Sequence, residues 1–492
     1  MTTYYVSPNG SDSNNGLGPD ASHASNKPFL TIGKILGASG VGAAGDIVYL
    51  APGVYREVVT VSITSPASEL QILGDPANAQ GFKTSGGVLV DPGYVRWTGY
   101  TTNDTTAPSA NSPLNLNGRD NLTFQDILFV QSAARTVDAT TATSQGITFR
   151  RCVFLPGSAT SNRAIEITGA GDTALNWTID SCIVMITNAA GSFFISSGAG
   201  TADYDLNVQI KNTLFLGGSI VAIRAQGAAS SKPGGIDVAH CTFICLSGIQ
   251  LITGFSTSIP NTVYNCYFYT TGTALTGVAL GDIVEDYNVI FATSARSTVN
   301  TGANSTSDGS RSNLIEVGQA ALWGFQPRPY GTPMIGSPLL GFGGQSVGIT
   351  TDFLNRPRPA GGPIVASAGA LERHDSWGRE TTTVRTGSNA ISCTGPGDQD
   401  FQLAVDATTT TVTVYMRYDG THAATNKPQM KVVNGSECGV NDATATMTLA
   451  ADNWEQLSLS FTPTRAGIVT IRLVSRSASA SGKAFADDFA VS

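Results

Sequence analysis

The sequence predicts an all-β chain: a right-handed parallel β-helix with an N-terminal helical cap, followed by a C-terminal antiparallel β-sandwich of the jelly-roll kind. Three observations carry this. A repeat of about 27 residues runs between positions 122 and 290. Charged residues make up only 13% of the 492, about half the ~25% usual in globular proteins, while Gly alone accounts for 55. From about residue 376 the pattern changes to short alternating strands separated by turn residues.

The repeat comes first because it sets the fold. The segments LTFQDILF, ITFRRCVF, WTIDSCIV, VQIKNTLF, IDVAHCTF, NTVYNCYF and DIVEDYNV align without gaps on Ile127, Cys152, Cys182, Thr213, Cys241, Cys266 and Tyr287. The steps are 25, 30, 31, 28, 25 and 21 residues. One flanking column holds Phe124, Phe149, Ile179, Ile210, Val238, Val263 and Val284. Another holds Phe129, Phe154, Val184, Phe215, Phe243, Phe268 and Val289. Alternate residues of a strand share a face, so these columns point inward and stack rung over rung. Between them lies a polar column, Asp126, Arg151, Ser181, Asn212, His240, Asn265 and Asp286, where the chain must turn. Short strand, polar turn and short strand, once per step, describe a solenoid whose coils pair at ~4.8 Å. Residues from about 41 to 350 would supply roughly 11 coils, a rod on the order of 50 Å.

The N-terminal segments Tyr4-Tyr5-Val6-Ser7-Pro8-Asn9-Gly10-Ser11-Asp12, Lys27-Pro28-Phe29-Leu30-Thr31-Ile32, Gly45-Asp46-Ile47-Val48-Tyr49-Leu50 and Gly53-Val54-Tyr55-Arg56 resemble the start of pectate-lyase-like β-helix proteins. Asp352-Phe353-Leu354-Asn355-Arg356-Pro357-Arg358-Pro359 with Gly369-Ala370-Leu371-Glu372 resembles their closing segment. The resemblance covers about 370 residues. It implies the fold and leaves the activity open among lyases, hydrolases, epimerases and non-enzymatic phage spikes. The preferred kinship is with the phage spike and virion-associated members. An open solenoid exposes an apolar cross-section, and residues 28–38, PFLTIGKILGA, read as a short amphipathic helix that covers it. The expected domains are 1–40 (cap), 41–375 (β-helix with closing segment) and 376–492 (sandwich).

In the last of these, Val412, Val414, Met416 and Tyr418 alternate, as do Leu457, Leu459 and Phe461, and Val469, Ile471 and Leu473. The tail with Trp454-Glu455, Pro463, Gly467 and Asp487-Asp488-Phe489 is similar to jelly-roll carbohydrate-binding modules. That similarity implies a structural calcium, with Asp487 as its acidic ligand.

Composition excludes several classes. A net charge of -8 and a pI near 5.0 argue against nucleic acid as partner. No apolar run approaches the ~18 residues of a membrane span. The first residues show neither a basic region nor an apolar signal core. The expected location is therefore a virion, or the extracellular space by another route. Of the seven cysteines, Cys152, Cys182, Cys241 and Cys266 share one inward column and read as small core residues, and Cys245 as packed too. Cys393 and Cys438 either pair or remain thiols. No C-x-x-C pair and only four scattered histidines leave no zinc or His-rich metal centre.

The chemistry-bearing candidates lie on the coils. Arg150, Asp180 and Lys211 share one outward column in consecutive rungs. They read either as a stabilising +, −, + ladder or as catalytic groups of a polysaccharide lyase. Glu166, Asp172, Asp203, Asp205 and Arg224 lie in or beside the longer inter-strand loops, where paired carboxylates would serve as acid and base of glycoside hydrolysis, with Glu166 the catalytic candidate. Asp282, Glu285 and Asp286 form a third acidic group, read as a turn, and His240 falls in the turn column. The Gly10–Gly16 loop reads as a hydrogen-bonded turn cluster. Leu128, Val153, Ile183, Leu214, Thr242, Tyr267 and Asn288 form an outward column whose first four members are aliphatic. Such a stripe calls for a loop or for neighbouring protomers, hence an expected homotrimer. Two functions survive. One is a phage virion spike, fibre or capsid decoration that binds a cell-surface polysaccharide or other virion proteins. The other is an extracellular polysaccharide lyase or glycoside hydrolase with a binding module.

Overall fold

The computed structural model describes residues 1–100, 112–130, 135–155, 163–169, 174–185, 193–197, 204–217, 221–227, 233–307, 377–380, 383, 385, 390–394, 398–405, 407–422, 426–433, 439–464, 467–477 and 481–491. They fall into two compact units, one up to residue 307 and one from residue 377. The first unit is a parallel β-helix. One coil shows its plan: Ile147–Arg150 lies in sheet 1, Val153–Leu155 in sheet 2 and Arg163–Gly169 in sheet 3. Trp177–Asp180 then returns to sheet 1, parallel to Ile147–Arg150. Among the described residues, sheet 1 has ten strands from Thr3–Val6 to Ile283–Asp286. Sheet 2 has ten from Gly53–Arg56 to Thr306–Ser307, and sheet 3 has nine from Val59–Thr60 to Ser294–Ser297. Ten strands at ~4.8 Å span roughly 43 Å.

The inward columns stack as the repeat requires. Phe124 lies on Phe149 at 5.2 Å and Phe129 on Phe154 at 5.5 Å. Phe243 is sandwiched between Phe215 at 4.8 Å and Phe268 at 4.5 Å, rings within 3° of parallel. Parallel in-register strands force like residues to superpose, and flat aromatic rings fill the rung spacing. The polar column is the turn: Asp126, Arg151, Ser181, Asn212, His240 and Asn265 all have φ between 50° and 57°. One left-handed residue redirects the chain from sheet 1 to sheet 2, and short polar side chains tolerate that conformation best. The next residue faces inward and staples the turn. The thiols of Cys152, Cys182, Cys241 and Cys266, all fully buried, donate to the carbonyls of Phe124, Phe149, Ile210 and Val238. Cys245 is packed as well, and burial pushes its thiol up.

Three expectations change. In the last coil the register slips by one residue: Val263 pairs with Glu285 and Tyr267 with Val289. Tyr287, φ 55°, is therefore the turn residue, and Asn288 takes the inward staple position. Its amide donates to Val263 O and its oxygen accepts from Cys266 N, both at 2.8 Å. Glu285 then points into the core where an apolar residue was expected, while Val284 is exposed. The N-terminal helix shrinks to the single turn Gly33–Leu36. Asp12 binds the amides of Leu30 and Thr31, and Glu57 those of Ile32 and Gly33, so residues 30–33 are held from outside the helix. Ile32, Ile35 and Leu36 are buried and still supply the apolar cover. Thr3–Val6, expected in the cap, is the first strand of sheet 1. Finally, the outward stripe on sheet 2 is buried only in part within one chain: Ile183, Leu214, Thr242 and Tyr267 are buried, with Val289 in the place expected for Asn288, while Leu128 and Val153 are half-buried.

The second unit has two antiparallel sheets. One comprises Trp377–Glu380, Ala390–Thr394, Lys483–Val491, Thr410–Tyr418 and Glu455–Phe461 in that order. The other comprises Asp398–Val405, Gly467–Val474, Gln429–Val433 and Ala443–Thr446. Val412, Val414 and Met416 of the first form one core with Val432, Val469, Ile471 and Leu473 of the second, the expected sandwich. Cys393 is a buried thiol, pushed up to about 11 by that burial, and Cys438 lies outside the described residues.

Two carboxylates fasten sandwich loops. Asp419 accepts from the amides of Thr421, His422 and Lys483 and from the Thr421 hydroxyl. Burial opposes its charge, but these donors outweigh it and hold the carboxyl below 3.8. Glu455 is held below 4.5 in the same way, against burial, by the Leu449 and Thr448 amides and the Thr448 hydroxyl. A depressed folded pKa contributes stability above the unfolded value and loses it as pH falls through the folded one. We expect the sandwich to melt at lower temperature as pH drops from 4.5 to below 3.8, and Asp419→Asn to blunt that dependence. Equal acid sensitivity of variant and wild type in thermal melts would contradict it.

Candidate functional site

The outer face of sheet 3 carries the densest polar constellation among the described residues. Its strands run in register, so Thr60, Asn115, Asp138, Glu166, Phe194, Arg224, Gln250, Thr276 and Ser297 occupy one column at coil spacing. Arg135 and Arg163 form a parallel pair beside it. Glu166, 9% exposed, lies between them and is ion-paired to both guanidiniums. Arg135 also reaches Asp138 at 3.1 Å. The second Asp138 contact is to the turn that follows: its Oδ1 accepts from Thr140 N at 3.0 Å and Thr140 Oγ1 at 2.7 Å.

The electrostatics follow from this packing. Burial works against the charge of Arg135, but Glu166 and Asp138 overcome it and raise the guanidinium. Arg163 goes the other way: burial lowers it, Glu166 opposes that, and the charges of Arg135 and Arg224 add to the lowering. Arg224 therefore belongs to the same field. Three guanidiniums and two carboxylates on one rigid face can bind hydroxyl and carboxylate groups of a ligand through charge-assisted, bidentate hydrogen bonds.

Sequence reasoning found Glu166 and Arg224 and placed them in or beside loops; both stand on strands, Arg163–Gly169 and Val221–Gln226. It missed Arg135, Asp138 and Arg163. A signal was present: Arg135-Thr136-Val137-Asp138 and Arg163-Ala164-Ile165-Glu166 repeat the same pattern one coil apart. Asp172 and Asp203 lie outside the described residues, and Asp205 is exposed and caps Asn207 N at 2.7 Å.

Arg150, Asp180 and Lys211 do share one column on consecutive strands, but that column is on sheet 1. Sheets 1 and 3 are different faces of the solenoid, so these three stand apart from Glu166. Lys211 Nζ is 3.8 Å from Asp180 Oδ2, and Asp180 also accepts from Ser181 Oγ at 2.9 Å. Beside them Arg151 binds Asp126 through Nε and Nη2 at 2.7 and 2.5 Å. This is the geometry of an ion ladder. His240 sits in its turn, buried, with Nε2 3.2 Å from Asn265 Nδ2. Asp282 accepts from the amides of Val278 and Ala279, and Asp286 from those of Tyr287 and Asn304.

Asp487 does not fit a calcium ligand. Its Oδ2 accepts from Arg385 N and its Oδ1 from Asp488 N, each at 2.8 Å. The adjoining Asp488 is ion-paired to the Arg385 guanidinium, a cation already in place. Among the described residues no group of three or more His, Cys, Asp or Glu could hold a metal ion, and no helix is long and apolar enough to cross a membrane.

No known protein family matches the sequence, and no curated protein does. Solved structures do match in part. Pectate lyase Pel9A is 12% identical with a TM-score of 0.44, over 76% of this chain and 97% of that one. XylC in complex with xylose is 10% identical with a TM-score of 0.35, over 75% and 98%. A family 16 carbohydrate-binding module is 12% identical with a TM-score of 0.20, over 24% and 86%. All three scores lie below 0.5, so the assignment of a parallel β-helix with an antiparallel sandwich rests on the strand pairing itself.

The Glu166 lock makes a quantitative expectation. Arg135 and Glu166 side chains are 30% and 12% exposed, between a surface pair and a buried one. A double-mutant cycle with Arg135→Ala and Glu166→Gln should give a coupling of about 1 kcal/mol in denaturant unfolding. Additive effects would show that the pair does not hold the face together.

Proposed function

We propose that this chain is a polysaccharide-binding β-helical protein of the phage virion kind, a spike, fibre or capsid decoration. In this reading an acidic polysaccharide lies along the outer face of sheet 3. The observation that supports binding over catalysis is the double ion pair of Glu166 with Arg135 and Arg163. The carboxylate best placed for proton transfer is already held by two guanidiniums. The polar column that continues through Gln250, Thr276 and Ser297 offers a hydrogen-bonding group at nearly every coil, as an extended ligand requires. The surroundings proposed are other virion proteins or a cell surface, in a virion or outside the cell.

A second reading, an extracellular lyase or glycoside hydrolase, is favoured by one feature. Asp138 and Glu166 stand side by side on adjacent coils, and a pair of carboxylates is what glycoside hydrolysis requires.

Affinity electrophoresis in acidic bacterial polysaccharides separates the two, with ultraviolet absorbance for unsaturated uronate and a reducing-end assay alongside. We expect retardation that Arg135→Ala and Arg163→Ala abolish, and no new chain ends. Turnover lost in Glu166→Gln would establish the enzyme instead. A homotrimer is proposed as the assembly of the virion form. It rests mainly on that reading, since most of the apolar column of sheet 2 is buried within one chain and only Leu128 and Val153 are half-buried. Light scattering should give three times 50.9 kDa, and a monomer mass in dilute solution excludes it.

A further inference from the structure

The sandwich carries a second constellation on the outer face of its five-stranded sheet. Thr410–Tyr418 alternates buried and half-buried residues, so Thr411, Thr413, Tyr415 and Arg417 face outward. Gln456 and Ser458 flank Tyr415 and Thr413 from one neighbouring strand, and Asp487 flanks Tyr415 from the other. The last strand shifts register between its partners Thr413 and Tyr415, and within the shift Asp488 adopts φ 50°. Such bulges re-aim side chains. Here Asp487 binds the Arg385 amide at 2.8 Å and Asp488 its guanidinium. Both hold Arg385 flat on Tyr415, with its guanidinium carbon 3.5 Å from the ring centroid.

We propose that the Tyr415 ring is a stacking platform for a neutral saccharide, and that Arg385 is its built-in gate. A planar guanidinium on an aromatic face occupies the place where the C–H face of a pyranose would stack. The edge of that place is lined by the hydroxyls, amide and carboxylates that hydrogen-bond sugar hydroxyls. Charge selects the ligand. Asp452, Asp487 and Asp488 balance Arg385, Arg417 and Lys483, and both arginines are already ion-paired, Arg417 with Asp452 at 2.7 Å. An anionic glycan gains no net attraction here, whereas sheet 3 offers three guanidiniums to two carboxylates. The inference rests on the glycan-binding reading but concerns a different face and a different ligand charge.

The test is affinity electrophoresis of the full chain in soluble xylan, galactan and mannan, with polygalacturonate as the anionic probe. Tyr415→Ala should weaken retardation in a neutral polysaccharide roughly tenfold, the worth of one aromatic stack. Tyr415→Phe should retain it, and Arg385→Ala should strengthen it by clearing the ring. Melting temperatures of the variants confirm that the sandwich remains folded. Neutral retardation must survive Arg135→Ala on sheet 3. No retardation of the wild type by any neutral probe overturns the proposal, as does retardation that Tyr415→Ala leaves unchanged or that Arg385→Ala weakens. Loss of polygalacturonate binding alone would instead count against the sheet 3 reading.

Discussion

From Leu122 to Val289 each coil passes from sheet 1 to sheet 2 through one left-handed residue, and the regular stack of that stretch depends on it. With one αL residue per coil, the strands on either side are fixed in register, and all inward columns follow. The conformation costs a non-glycine residue on the order of 1 kcal/mol each time, and two devices offset it. Polar side chains at the turn pair along the stack, as Arg151 does with Asp126. The residue after the turn faces inward and returns hydrogen bonds to the backbone. Weak thiol donors suffice at Cys152, Cys182, Cys241 and Cys266, Thr213 bonds Lys211 O at 2.9 Å, and Asn288 makes two bonds at the end of the stack.

The same superposition explains the low charge. Identical positions recur every ~4.8 Å, so like charges in a column would repel along the whole rod. Charge survives only where it alternates, as at Asp180 and Lys211, or where opposite charges interlock across a coil, as at Arg135, Glu166 and Arg163. Elsewhere the outward columns carry hydroxyls and amides. The faces differ because each is asked for something different: a mixed ladder on sheet 1, a partly covered apolar surface on sheet 2, an open polar one on sheet 3.

This is why the fold was legible in the sequence and the site was only partly so. Strand, turn and strand recur at nearly constant length, and Phe, Ile and Val mark the core columns directly. The Arg-x-x-acid pairs of sheet 3 follow sheet 2 at a distance that varies from coil to coil, because the connection between those sheets is not a one-residue turn. Arg135 therefore falls outside any gapless alignment anchored on the cysteine column, and Glu166 reads as lying in or beside a loop. Apolar matching also misled at the last coil. Aligning Val284 with Val263 was the hydrophobic choice, yet it would have left Asn288 outside and given the turn to Asp286.

The coil that carries Glu285 shows how a carboxylate is accommodated in a core column. Its interior replaces apolar groups with a neutralised polar set: Glu285, fully buried, accepts from Arg296 Nε and Asn288 Nδ2 at 2.7 Å and from Gly302 N at 2.8 Å. A buried carboxylate in such a column is tolerable only with its partners present, since an unpaired one costs several kcal/mol. The partners come from three directions: the staple position, the facing strand of sheet 3 and the segment leading out of the last coil. Glu285 thus ties together three elements that share no repeat. An apolar residue there would bury as much surface but would specify none of those partners. Specificity of partners, rather than added stability, is the consistent account of an acid in this rung.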